Sequence, residues 1–69
     1  REVGEARELA RVWETMGRLE LRRGRIDAAR ERLEAALEVL TPLGDLTGLA
    51  QTTEALSEVL AASGRDAEA

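Results

Sequence analysis

Apolar residues in the first third of the chain recur at three- and four-residue intervals. Ala6, Leu9, Ala10, Trp13, Met16 and Gly17 fall on one face of a helix, and Leu19 and Leu21 carry the pattern up to Gly24. A second stripe runs Ile26, Ala29, Leu33, Ala36, Leu37, Leu40. It is expected to end at Thr41, Pro42 and Gly44, because proline lacks an amide donor and glycine relaxes the backbone. A third stripe, Leu46, Leu49, Ala50, Thr53, Leu56 and Leu60, follows Asp45, a residue suited to capping a helix N-terminus, and stops before Ser63 and Gly64. The pattern predicts helices over 3–23, 26–41 and 45–62, with 65–69 beginning a fourth. No segment shows the period-two alternation of a strand.

Connections of two to five residues force successive helices to lie antiparallel, which gives an all-α fold of helical hairpins. Gly24 then sits at a helix C-terminus, where positive φ is easy only for glycine. Arg22, Arg23 and Arg25 surround it at the negative end of the first helix dipole, where an exposed charge contributes about 0.3–1 kcal/mol.

Sliding the chain against itself by 40 positions aligns Gly4 with Gly44, Leu9 with Leu49, Ala10 with Ala50, Glu14 with Glu54, Gly24 with Gly64, Arg25 with Arg65 and Ala29 with Ala69. Val3/Leu43, Glu5/Asp45, Met16/Leu56, Gly17/Ser57 and Leu19/Val59 are similar pairs in the same register. A period of this size is the mark of a helical-hairpin solenoid.

Trp13, Met16, Gly17, Gly24, Ala29, Leu33 and Ala36 reproduce the spacing of the tetratricopeptide repeat, which the chain resembles over nearly its whole length. The likeness departs from the family pattern in places. Glu20 stands at the usual tyrosine position, Thr53 and Ser57 replace Trp13 and Gly17 in the second copy, Pro42 lies one residue late, and the period is 40 rather than 34. The stretch from Thr41 to Leu60 is similar to the long repeats of bacterial multidomain signalling regulators. The resemblance implies an α-solenoid fragment in the order helix A, helix B, helix A, whose A helices line a concave groove for a partner's peptide or helix. Carried onto this chain, the groove falls on Arg11, Glu14, Thr15, Arg18, Leu21 and Arg22 of the first A helix. On the second it falls on Gln51, Glu54, Ala55, Glu58 and Ala62. The first set is net basic and the second acidic, so the implied ligand presents an acidic stretch followed by a basic or neutral one. The Lys and Asn pattern with which some members clamp a C-terminal carboxylate is missing.

At 69 residues the chain makes one small domain with a thin core. It has no Cys to supply a disulfide or a thiolate metal site. Helix packing and neighbours must therefore supply stability. Repeat arrays need about three units because each buries its face against the next. The third helix is expected to leave an apolar face around Leu49, Leu56 and Leu60, either to aggregate, to pair with a second copy or to be covered by further sequence. Self-association as a symmetric helical dimer, with no separate ligand, is the rival to a binding module.

All ten basic residues are Arg, with no Lys, Asn, Phe or Tyr, the usage of a high-GC and bacterial genome. A net charge of −4 disfavours nucleic acid, which calls for a basic surface. The short apolar runs disfavour a membrane span, so a soluble cytoplasmic segment is expected. The chain has no His, and none of its Ser or Thr hydroxyls has a base to activate it, which argues against a catalytic site. Glu34 with Glu38, and Glu54 with Glu58, are spaced one helical turn apart but lack the His that a bundle metal site uses, so no metal is expected. No phosphate-cradling glycine pattern is present and no cofactor is implied. Arg18, Arg22, Arg23 and Arg25 carry the forked guanidinium that grips carboxylate or phosphate, but a scatter of exposed arginines without aromatics is first a solubility feature. Trp13 belongs to the apolar stripe and is assigned to the core.

Overall fold

The computed structural model describes residues 2–68, with side chains over 4–64. Helix α1 spans Glu2–Arg22. It ends at Gly24, whose φ of +78° places it in the left-handed region. The Gly24 N–H donates to the Leu21 carbonyl at 3.0 Å and the Arg25 N–H to the Glu20 carbonyl at 2.9 Å. These paired bonds form a Schellman turn that satisfies carbonyls otherwise left open at a helix end.

Helix α2 spans Ile26–Leu43 and runs through Pro42, which corrects the expected end at Thr41. Proline removes one backbone donor, but Glu38, whose carbonyl loses its partner, is exposed to water. The helix stops at Gly44, with φ +67°, whose N–H reaches the Leu40 and Thr41 carbonyls at 3.1 Å each. Helix α3 spans Leu46–Glu68. Asp45 caps it, its Oδ1 accepting a 3.1 Å hydrogen bond from the Gly48 N–H.

The break expected at Ser63 and Gly64 does not occur, and the fourth helix expected over 65–69 is the continuation of α3 as far as Glu68. Ile26, Ala29 and Leu33 follow Gly24 and reward the turn by burial. At Gly64 the cost of glycine inside a helix, about 1 kcal/mol relative to alanine, does not by itself break it.

The described helices follow the order A, B, A, with α2 packed between α1 and α3 and antiparallel to both. The sequence of α2 explains its central place. Ala29, Leu33, Ala36 and Leu40 are all buried, alternating small and large side chains along one stripe. The alanines let neighbours approach and the leucines fill the space between them. Ala29 and Leu33 form a cluster with Ala55 and Val59 of α3, flanked by Leu21, Ile26 and Leu56. Ala36 and Leu40 form another with Ala10 of α1, flanked by Trp13, Val39 and Leu49. Gly17 sets the closest approach of α1 to α2. A β-carbon there would meet Leu33 Cγ at 2.7 Å and Cδ2 at 2.8 Å. Trp13 is half-buried against the Ala36–Leu40 cluster, and the Arg32 guanidinium lies 5.5 Å from its ring centroid, in cation–π range.

The face that α3 buries differs from the expected stripe. Thr52, Ala55 and Val59 are fully buried on α2, with Leu49 and Leu56 half-buried beside them. Leu46, Ala50, Thr53, Ser57, Leu60 and Ala61 face water. Of the proposed self-association residues Leu49, Leu56 and Leu60, only Leu60 is therefore exposed; the other two belong to the core contacts of α2. Packing on α2 thus uses Leu49, Thr52, Ala55 and Val59 on α3, whereas α1 packs on it with Ala10, Trp13 and Gly17.

Candidate functional site

Helices α1 and α3 run parallel, on either side of α2. Turning from the buried side of α1 toward α3 brings up Arg7, Glu14 and Arg18, then Arg11, Thr15 and Arg22, because successive side chains advance by about 100°. Polar contacts bridge the helices. The Arg7 Nε lies 3.6 Å from Asp45 Oδ2, so the residue that caps α3 also ties it to α1. Arg18 Nη2 reaches the Gln51 carbonyl at 3.5 Å, a long contact, while its Nε makes a 3.1 Å ion pair with Glu14 Oε2 one turn earlier. That pair is partly buried, since the Glu14 side chain is only 18% exposed.

Between the helices lies a cleft of about 150 Å³ whose walls include Arg11, Glu14, Thr47 and Gln51 and whose floor includes Ala10 and Leu40. Of the residues assigned to the groove from sequence, the structure brings together Arg11, Glu14, Arg18 and Gln51. Thr15 and Arg22 are exposed on the same side of α1, and Glu54 and Glu58 are exposed farther along α3. Ala55 does not line the groove; it is fully buried on α2. Leu21 is half-buried against the Ala29–Leu33 cluster. Arg7, Thr47 and Asp45 join the site unannounced. The Asp45 cap was legible, but its reach across to Arg7 depends on the relative height of α1 and α3, which no single-helix pattern encodes.

The electrostatics follow from the pairing. Glu14 neutralises Arg18 and Asp45 neutralises Arg7. Among the described residues neither Arg11 nor Arg22 has an acidic side chain within ion-pair distance. Glu54 and Glu58 likewise make no ion pair among the described residues. The groove therefore has a cationic α1 side and an anionic α3 side. It presents hydrogen-bond donors and charges of both signs. Among the described residues no cluster of His, Cys, Asp and Glu is placed to hold a metal ion. No described helix is long and apolar enough to cross a membrane.

Comparison with protein families finds a match to the tetratricopeptide repeat over residues 8–69. Neither the curated proteins nor the solved structures give a match.

Proposed function

We propose, from the premise that this chain belongs to the tetratricopeptide repeat family, that it is a non-catalytic scaffold which holds a partner's peptide or helix in the groove between α1 and α3. The observation that carries the reading is charge polarity. Arg11 and Arg22 stand unneutralised on one side, and Glu54 and Glu58 on the other. A partner segment with an acidic stretch against α1 and a basic or neutral stretch against α3 matches this distribution, and a reversed one meets like charge at both ends. The Arg-only usage of basic residues and the likeness to long bacterial repeats support a place in a cytoplasmic bacterial regulatory protein.

Arg11 and Arg22 are the residues to change, because reversing Arg18 would also leave Glu14 without its partner. The test titrates an extended peptide with an acidic half and a basic half, and its charge-reversed counterpart, against the chain by fluorescence anisotropy. Arg11→Glu with Arg22→Glu is expected to weaken the first peptide at least tenfold at low salt while the circular dichroism spectrum stays helical. Equal binding of the two peptides, or an unchanged affinity in the double variant, removes the groove from the proposal.

Self-association is favoured by a different observation. Leu46 is 78% exposed and Leu60 58% exposed on the side of α3 that faces water. Light scattering across concentration separates the readings: a dimer lost on Leu60→Glu assigns that face to a second copy.

A further inference from the structure

A stripe of Leu9, Val12, Met16 and Leu19 runs along α1. At about 100° per residue it lies more than a quarter-turn round from Ala10 and Gly17, which meet α2, and on the side away from Arg7 and Arg18. Leu9 is 47%, Val12 52% and Leu19 43% exposed, and they are three of the five large apolar side chains exposed among the described residues. The other two, Leu46 and Leu60, are separated along the open side of α3 by Ala50, Thr53 and Ser57, so the α1 stripe is the more continuous. Its ends are charged. Glu5 extends it in one direction and Arg23 in the other, and positions 5, 9, 12, 16, 19 and 23 alternate steps of four and three, the spacing of a seam between two helices. Arg23 lies one residue past α1, but its N–H still donates to the Leu19 carbonyl at 3.1 Å, which keeps it on the helical turn. Glu8 flanks the acidic end and Arg22 the basic end along one edge. All four charged residues are exposed and make no ion pair among the described residues.

We infer that this stripe is a homodimer seam, which seats α1 of a second copy of the chain antiparallel to itself about a two-fold axis. The charges choose both the occupant and its direction. A parallel pair sets Glu5 against Glu5 and Arg23 against Arg23, like charge at both ends. An antiparallel pair with Leu9 against Leu19 of the second copy, and Val12 against Met16 of the second copy, brings Glu5 to Arg23 at each end. The same register carries Glu8 toward Arg22 along the edge. A two-fold axis makes every such contact twice, so a stripe that is apolar in the middle and oppositely charged at its ends is complementary to its own reverse. Helix α2 stands clear of the seam, because the stripe and the α2 contact occupy different sides of α1. Residues 5 to 23 extend about 27 Å along the helix. A two-helix seam of that length is a small interface, so the dimer is one that dissociates on dilution. The inference rests on the self-association reading, places the contact on α1 instead of α3, and does not depend on what the groove binds.

The test follows the full chain by light scattering and sedimentation across concentration, where a monomer–dimer equilibrium is expected. Val12→Glu, at an exposed position, should keep the helical circular dichroism spectrum and remove the dimer, and Leu60→Glu should leave the dimer intact. Glu5→Arg and Arg23→Glu should each weaken it about tenfold at low salt, the scale of exposed ion pairs reversed at both ends. An equimolar mixture of those two variants should regain it, because the mixed pair again has opposite charges at each end. The chain has no cysteine, so Leu9→Cys and Leu19→Cys read the direction. Mixed together under mild oxidant they should form a disulfide-linked dimer, and either alone should not. A monomer at every concentration overturns the inference together with the self-association reading. A dimer that survives Val12→Glu overturns the inference alone, and its loss on Leu60→Glu then returns the contact to α3. Cross-linking of Leu9→Cys with itself also overturns it, by making the pair parallel.

Discussion

A single hydrogen atom in place of a methyl group fixes the spacing of α1 and α2. Gly17 is buried, and the atoms a β-carbon would strike belong to Leu33, itself fully buried and unable to swing away. Gly17→Ala should therefore destabilise the chain by about 1–3 kcal/mol through overpacking, although alanine is the better helix former by about 1 kcal/mol. Urea denaturation measures the sign, and a stabilised variant would mean the helices separate more easily than this packing implies. Thr52 is the opposite case. Its Oγ1 is buried without a hydrogen-bond partner among the described residues, and the first copy carries Val12 at that position. Thr52→Val keeps the shape and removes the desolvated hydroxyl, so a gain of about 1 kcal/mol is expected in the same assay. The Gly17 position was legible from its place in the repeat spacing. The burial of Thr52 was not, because a hydroxyl on a helix is ordinarily read as facing water.

At the scale of the element, Gly24 and Gly64 share a sequence context and not a conformation. Gly24 and Gly44 end their helices at positive φ, where a side chain is strained, while Gly64 lies inside α3. Alanine at either of the first two should cost about 1–2 kcal/mol. At Gly64, where an added β-carbon meets nothing within 4 Å, alanine should stabilise by about 0.5–1 kcal/mol. Thermal melts of the three single variants check the divided sign, and a destabilised Gly64→Ala would restore the turn that the internal register suggested. The stripe of α2 was legible residue by residue, because a helix covered on both sides leaves its pattern in one band. The buried face of α3 was not. Leu46, Ala50 and Thr53 continue one apolar band and Leu49, Leu56 and Val59 another, and only the presence of a neighbour decides which is covered. Pro42 misled for a related reason: it marks where a helix can no longer donate, which near an exposed C-terminal turn is not where it ends.

In the molecule as a whole, α2 alone among the described helices is covered by helices on two sides. Amide hydrogen exchange should find its central amides, from Leu33 to Leu37, the most protected. The amides of α3, covered by a helix on one side only among the described residues, should exchange faster; protection along α3 equal to that of α2 would mean that it is supported on a second side. The same shared helix has a kinetic consequence. Most interhelical contacts join helices adjacent in the chain, so contact order is low and folding should be fast. The pairs α1–α2 and α2–α3 each contain a complete interface, so the chain can start from either end and the two beginnings compete for one helix. A side chain used by both, Leu33, then governs the folding rate on either route. Gly17 and Val59 each govern only one, and slowing one sends the traffic through the other.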